Sequence, residues 1–250
     1  MEEKLIRTLE VPCYLTDRHY RLRPAAFFDL AQDMAVLGAN QLSFGEKELS
    51  PLGIAWVLAR MDVKFIKDIR QYEEIELQTW HRGIHGPFYV RDYQFIGADG
   101  KPSAISSSSW ILMDINSRRA VRMDQAPSCV HSEPQCTEAM MDSIPGKVVP
   151  PRGMSLEKRG EKRVDYSDVD TNQHANNAKY IVWAMDCLPD ELTSNHKVSE
   201  VSINFNKEAR PGEIVELYHI ASDLTTHFVE GRIGDRQIFI VRLTFSQDGV

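Results

Sequence analysis

MDVKFIKDIRQYEEIEL, residues 61–77, lies over VSINFNKEARPGEIVEL, residues 201–217, without a gap. Phe65/Phe205, Lys67/Lys207, Arg70/Arg210, Glu73/Glu213, Glu76/Glu216 and Leu77/Leu217 are identical, while Val63/Ile203, Asp68/Glu208 and Ile75/Val215 are chemically similar. Apolar residues alternate with polar ones in both copies: Met61, Val63 and Phe65 share one side, as do Val201, Ile203 and Phe205. A period of two predicts half-buried strands, and a pattern met twice predicts two copies of one unit.

Each copy leads into further strand-like runs. YVRDYQFIGADGKPSAISSSSWILMDI follows the first and HFVEGRIGDRQIFIVRLTF the second, with hairpin turns expected at Asp99-Gly100 and Gly234-Asp235. Ahead of each copy sits a helix. RPAAFFDLAQDMAVLG carries Pro24 near its start and Gly38 near its end. In the second half Tyr180, Trp183, Ala184 and Cys187 recur at helical spacing. A weaker alignment pairs Tyr14 with Tyr166, Ala26 with Ala178 and Phe28 with Tyr180. Its offset is 12 residues greater than that of the strand repeat, so an insertion is expected after the first helix, and QLSFGEKELSPLG fits it.

The result is an α+β architecture: two tandem units, each a central helix wrapped by an antiparallel β-sheet. The expected domains are residues 1–130 and 155–250, joined by a connector over 131–154. DQAPSCVHSEPQCTEAMMDSIPGKVVPPRG has five prolines, which marks irregular chain that can lie along the surface of packed units.

Composition narrows the function. The apolar and charged fractions, 42% and 26% of 250 residues, are those of a soluble globular protein. MEEKLIRTLE is charged throughout and no apolar run approaches the roughly 20 residues that span a bilayer. The expectation is a cytoplasmic protein without stable membrane insertion. A net charge of −7 argues against nucleic acid as the main partner. Cys13, Cys129, Cys136 and Cys187 have no CxxC spacing, so reduced thiols are expected, with neither zinc knuckle nor disulfide framework. No zinc, nucleotide or flavin motif is visible, so no cofactor and no metal are expected.

Chemistry concentrates in SDVDTNQHANNAKY, residues 167–180. Asp168, Asp170 and Asn172 mimic the start of an EF-hand loop, but the sixth position is Gln173 where glycine is needed, and the twelfth is Lys179 where a bidentate glutamate is needed. Calcium is therefore excluded. With residues 170–174 extended, Asp170, Asn172 and His174 project to one side. A carboxylate, an amide and an imidazole then converge at a helix N-terminus, a combination suited to acyl hydrolysis. By the weaker alignment Arg18, Tyr20 and Leu22 fill the corresponding places of the first half, which would leave one active site, in the second.

The stretch DVDTNQHANNAKYIVW resembles the acyl-[acyl carrier protein] thioesterases of plants and bacteria, which are built from two tandem hotdog folds. IAWVLARMDVKF, ELQTWHRG and SSSSWILMD in the first half support the resemblance, which covers nearly the whole chain. It implies that Asp170, Asn172 and His174 take catalytic positions and that NFNKEARPG contributes Glu208. Plant members carry a cysteine after that glutamate; this chain has Ala209, so attack by water replaces attack by a thiol there. Cys187 falls on an apolar helix face and reads as a core thiol. Asp68 stands at the equivalent of Glu208, so an acid there can equally finish the strand. Simple alternation turns Glu208 away from Val201, Ile203 and Phe205, so a bulge or bend must bring it to the site.

The implied reaction is direct hydrolysis of a fatty acyl thioester. Asp170 or Glu208 accepts the proton of water, and the helix N-terminus near Asn176 and Asn177 stabilises the oxyanion. The resemblance assigns the acyl pocket to the first half, with Met34, Leu37, Trp56, Leu58 and Trp110 as candidate liners. The implied partner is an acyl carrier protein, an acidic molecule at odds with the net charge, for which the basic residues of SRRAVR and EKRGEKRV offer local docking patches. An acyl-CoA hydrolase, a 3-hydroxyacyl dehydratase and a non-catalytic acyl binder stay open, as does a homodimer.

Overall fold

Every alternating run of the sequence is a strand in the computed structural model, which describes residues 4–130 and 133–246. Residues 1–3, 131–132 and 247–250, which fall inside the expected domain and connector spans, lie outside the described residues. The chain divides into two compact units, Met1–Leu22 with Leu30–Gly146, and Arg23–Asp29 with Lys147–Val250.

In the first unit β1 (Leu5–Glu10), β2 (Ile54–Phe65), β3 (Glu74–His85), β4 (Phe88–Ile96) and β5 (Pro102–Asp114) form an antiparallel sheet ordered β1-β3-β4-β5-β2. In the second, β6 (Glu157–Arg163), β7 (Val198–Phe205), β8 (Ile214–Ala221), β9 (Thr226–Ile233) and β10 (Arg236–Phe245) are ordered β6-β8-β9-β10-β7. The two sheets have the same connectivity, as the repeat predicts. Gly100, at φ 71°, and Gly234, at φ 56°, occupy the turns that join β4 to β5 and β9 to β10. That left-handed backbone is accessible to glycine at little cost.

The identities within the repeat have a structural cause. Glu73 Oε2 accepts the Arg70 N–H at 2.8 Å, and Glu213 Oε2 accepts the Arg210 N–H at 2.7 Å. These paired caps hold the loops that enter β3 and β8, at Tyr72 with φ 63° and at Gly212 with φ 84°.

Helix α1 (Pro24–Gln41) starts at the predicted proline but runs past Gly38. That glycine is not a stop signal. A Cβ at Gly38 would lie 2.5 Å from Arg91 Nη1 of β4, so its absence admits a buried guanidinium. The expected insertion holds the end of α1 and the short α2 (Glu46–Leu49), where Glu48 Oε2 accepts the Gly45 N–H at 3.1 Å. Helix α3 (Asn177–Asp186) buries Ala178, Tyr180, Ile181, Trp183 and Ala184, and Tyr180 stacks on Phe239 of β10 at 5.1 Å. Cys187, the last residue of the predicted face, is half-buried and caps the C-terminus of α3 one residue past its end. The short α4 (Asp190–Asn195) follows.

The sheets are not half-buried as a period of two predicts. Asp92 and Ser107, on the face of the first sheet opposite Arg91 and Ser108, are fully buried. The connector covers them: Met140 N–H donates to Asp92 Oδ2 at 2.9 Å, and Trp80 Nε1 donates to the Glu138 carbonyl at 3.0 Å. In the second unit Asn204 Oδ1 accepts the Val148 N–H at 2.7 Å, and Val148 packs with Phe228 and Ile240. Asp92 and Asn204, on these outer faces, are therefore each satisfied in part by backbone.

Burial is also written into the protonation of the core. His81 is pushed down to about 4 by burial and by the Arg91 charge beside it, and His219 to about 4 by burial and by His227, with which it stacks. Folded-state values below the ordinary 6.5 mean that, as pH falls, the unfolded chain takes up the protons first. Stability is complete above pH 6.5 and is lost progressively towards pH 4, by at most about 3 kcal/mol per histidine. Denaturant titrations from pH 7 to pH 4 should show a shallower decline for His219→Gln than for the native chain.

Candidate active site

The stretch between Val169 and Ala175 is a tight hairpin, not an extended segment. Val169 and Ala175 form a bridge, Asp170 N–H donates to the His174 carbonyl at 3.1 Å, and Gln173 N–H donates to the Asp170 carbonyl at 3.1 Å. Gln173 adopts φ 65° to close the turn. Asp170 Oδ1 accepts the Asn172 N–H at 2.8 Å, an Asx turn that fixes the carboxylate against its own loop. The expectation of three side chains aligned by strand alternation fails for this reason; Asp170 and Asn172 are brought together by the turn itself.

The hairpin is stapled to the loop after β7. Ala175 N–H donates to the Ala209 carbonyl at 2.8 Å, and Ala209 N–H donates to Tyr180 Oη at 3.1 Å. Each of these alanines follows a site residue, so the staple sets His174 beside Glu208: Nε2 and Oε1 are 3.5 Å apart, both side chains about one-fifth exposed. Glu208 reaches the site because β7 ends at Phe205 and the chain turns into a loop, which makes the bulge expected on sequence grounds unnecessary. Burial raises the Tyr180 hydroxyl to about 12, with smaller contributions from the charges of Glu208 and Asp170. The Ala209–Tyr180 hydrogen bond thus ties the His174–Glu208 pair to a buried tyrosine. Sequence reading recognised Tyr180 only as a core position.

Asn176 caps α3, its Oδ1 accepting the Ala178 N–H at 2.8 Å. Its own N–H donates to the Asp168 carbonyl at 2.8 Å, and the Lys179 N–H to the Asn176 carbonyl at 2.9 Å. Those three donors are engaged, so what this end of α3 offers a developing anion is the field of the helix dipole. Lys179, which argued against calcium, stands 3.7 Å from Asp168 Oδ1 as its counter-ion.

The first unit contains the same hairpin one residue away from its expected register. Thr16 bridges Leu22, Asp17 N–H donates to the Arg21 carbonyl at 2.7 Å, and Tyr20 N–H donates to the Asp17 carbonyl at 3.0 Å. Tyr20 adopts φ 60°, Asp17 Oδ1 accepts the His19 N–H at 2.8 Å, and Leu22 N–H donates to the Ile69 carbonyl at 2.8 Å. The counterparts of Asp170, Asn172, His174 and Glu208 are therefore Asp17, His19, Arg21 and Asp68. Arg18, Tyr20 and Leu22 are not the equivalents, and an acid is present in the first half after all. What differs is Arg21, whose Nε lies 3.3 Å from Asp17 Oδ2, while Arg70 Nη2 lies 2.9 Å from Asp68 Oδ2. Arginine stays protonated and cannot relay a proton, whereas histidine can.

Of the pocket candidates, Trp56 and Trp110 pack on one apolar cluster with Phe44, Leu49, Tyr89 and Leu112. Leu58 faces Trp110 across β2 and β5. Met34, buried, and Leu37, half-buried, belong to α1 and stand outside that cluster. The basic residues of β6 are matched by acids: Lys158 by Glu216 and Glu161, Arg159 by Glu157, Lys162 by Asp186 and Arg163 by Asp165. Arg122, in the other basic segment, pairs with Asp124 at 3.1 Å. Such exposed pairs add little stability, but they leave β6 a mixed-charge edge.

The model of the acyl-ACP thioesterase N-terminal domain matches residues 2–126, and that of the C-terminal domain matches residues 154–237. The chain belongs to the acyl-ACP thioesterase family. It is 24% identical over 180 residues to oleoyl-acyl carrier protein thioesterase 2 of Arabidopsis thaliana, covering 66% of this chain and 47% of that protein. It is 26% identical over 189 residues to the palmitoyl-acyl carrier protein thioesterase of the same plant, covering 68% and 42%. The chain spans about half the length of these relatives. An acyl-ACP thioesterase structure from Bacteroides thetaiotaomicron superposes with a TM-score of 0.88 at 20% identity over 98% of both chains. The 12:0-ACP thioesterase of Umbellularia californica superposes at 0.84 with 18% identity, over 98% of this chain and 97% of that one. These likenesses show the fold, two hotdog domains in tandem.

The Asx turn separates two roles of Asp170. Asparagine preserves the acceptor for the Asn172 N–H and alanine removes it, so Asp170→Asn should unfold within about 0.5 kcal/mol of the native chain and Asp170→Ala about 1 kcal/mol earlier. Equilibrium denaturation measures both.

Proposed function

We propose that the chain hydrolyses the thioester of a fatty acyl-[acyl carrier protein], releasing the free acid and the carrier thiol. The observation that carries this reading is the His174–Glu208 pair, held at 3.5 Å beside Asp170 and the start of α3. The family and the printed activities of the plant relatives support the substrate class.

In this reading water attacks the thioester carbonyl carbon as Glu208 takes its proton, with His174 orienting the carboxylate. Asp170, its Oδ1 committed to Asn172, keeps the turn in shape and holds negative charge near His174. The tetrahedral oxyanion forms towards the start of α3, where the helix dipole favours it. Its collapse breaks the carbon–sulfur bond, and the departing thiolate takes the proton back. Cys187 has no part, because burial holds its thiol at about 11 and so protonated at neutral pH. The apolar cluster around Trp56 and Trp110 would receive the acyl chain.

Thiol release from carrier-protein and CoA thioesters of several chain lengths tests this directly. Asp170→Asn, His174→Ala and Glu208→Gln should each lose about 100-fold or more in kcat/KM, while Cys187→Ser keeps its rate. No release from any thioester by folded protein would overturn the hydrolase reading, and equal turnover of CoA thioesters would remove the carrier preference.

A further inference from the structure

Three features that each cost stability meet beneath α1 in the first unit. Arg91 is buried, its side chain hydrogen-bonds to Thr79 Oγ1 at 3.2 Å, and no acidic side chain among the described residues pairs with it. A guanidinium in a protein core normally has a carboxylate or several acceptors. Gly38 stands in the last turn of α1, where glycine is unfavourable by about 1 kcal/mol relative to alanine, and makes room for that guanidinium. On the same face of the sheet, His81 Nε2 and Tyr89 Oη are buried with no hydrogen-bond partner. Departures from local rules that gather in one place mark function.

The two side chains that carry these atoms are neighbours. The His81 and Tyr89 rings lie 6.4 Å apart, and both border the apolar cluster: His81 meets Phe44 edge-on at 5.6 Å, Tyr89 meets Trp56 at 4.7 Å. The His81 imidazole has no partner at Nε2. The Arg91 charge and burial together keep that imidazole neutral. A neutral imidazole nitrogen, which donates or accepts according to its tautomer, and a hydroxyl, which does both, are therefore set into the wall of an otherwise apolar cluster. A group that both donates and accepts in one atom satisfies both, and a hydroxyl is that group.

We propose that His81 and Tyr89 recognise a hydroxyl on the acyl chain, so that this chain selects hydroxylated over plain fatty acyl groups. The inference rests on the proposed function insofar as the first unit takes the acyl chain. Arg91 acts through His81, as a positioning residue.

The test is calorimetric binding of free fatty acids to the full chain: plain acids, the same acids with one hydroxyl walked along the chain, and matched dicarboxylic acids. One hydroxylated isomer should bind at least about tenfold more tightly than its plain parent. Tyr89→Phe, which removes only the oxygen, and His81→Phe should each cut that ratio about 3–10-fold, the worth of one hydrogen bond. Equal affinities across all isomers would overturn the inference, the two atoms then holding a buried water only. Tightest binding of a dicarboxylic acid, lost in Arg91→Leu, would also overturn it, since the site would then read an anion. Thiol release from plain acyl thioesters, run alongside, judges the hydrolase reading separately: a hydroxyl preference with no thiol release sinks hydrolysis and leaves this inference standing.

Discussion

The candidate site hangs on the Ala209 peptide, gripped from two directions. Its carbonyl accepts the Ala175 N–H and its N–H donates to Tyr180 Oη. One grip ties the loop after β7 to the hairpin and the other ties it to α3, so two adjacent segments and a loop distant from both in sequence share a single peptide unit. Because all three groups are buried, releasing any of them would leave an unsatisfied polar atom, a cost of about 1–3 kcal/mol. His174 and Glu208 are each one residue from this knot, and their separation follows from backbone rather than from side-chain packing.

The first unit shows what the backbone alone supplies. Leu22 and Ile69 make the same link, Tyr20 takes the same left-handed turn as Gln173, and Asp17 makes the same Asx bond as Asp170. The scaffold of the site exists twice and its chemistry once. Where the second unit places a histidine, the first places Arg21, whose charge neutralises Asp17 instead of exchanging a proton. Three of the four positions differ, Asn172 from His19, His174 from Arg21 and Glu208 from Asp68, and the arginine turns the first unit's copy into a structural ion pair.

Much of this was legible in the sequence. The ungapped repeat of residues 61–77 and 201–217 specifies two like sheets, because period-two burial and paired turn caps leave a pattern in side chains. The hairpin register was not legible. Of the pairs that set the alignment, Tyr14 and Tyr166 are exposed, and Ala26 and Phe28 each stand next to an equally buried residue of the same type, Ala25 and Phe27, so the pattern does not record register. Nor did the strands announce that both their faces are covered: Asp92 and Asn204 look like solvent-facing polar residues until the connector donates backbone N–H groups to them. Side-chain periodicity carries no information about a partner that binds through its main chain. The site acids were found as residue types, while Tyr180 was read as core because its hydroxyl partner is a backbone amide distant in sequence.

The connector's contacts with Asp92 and Trp80 bear on how the polypeptide acquires its structure as it is made. Synthesis runs from the N-terminus, and all five strands of the first sheet are complete by Asp114. At that point the Asp92 carboxylate, fully buried in the finished molecule, has Arg82 and Ser107 but not the Met140 N–H, and the Trp80 indole lacks the Glu138 carbonyl. The nascent first domain thus emerges with one side of its sheet open to water. It closes only when the stretch through Met140 has left the ribosome, so the segment that looks like a linker in sequence is the last piece of the domain that precedes it.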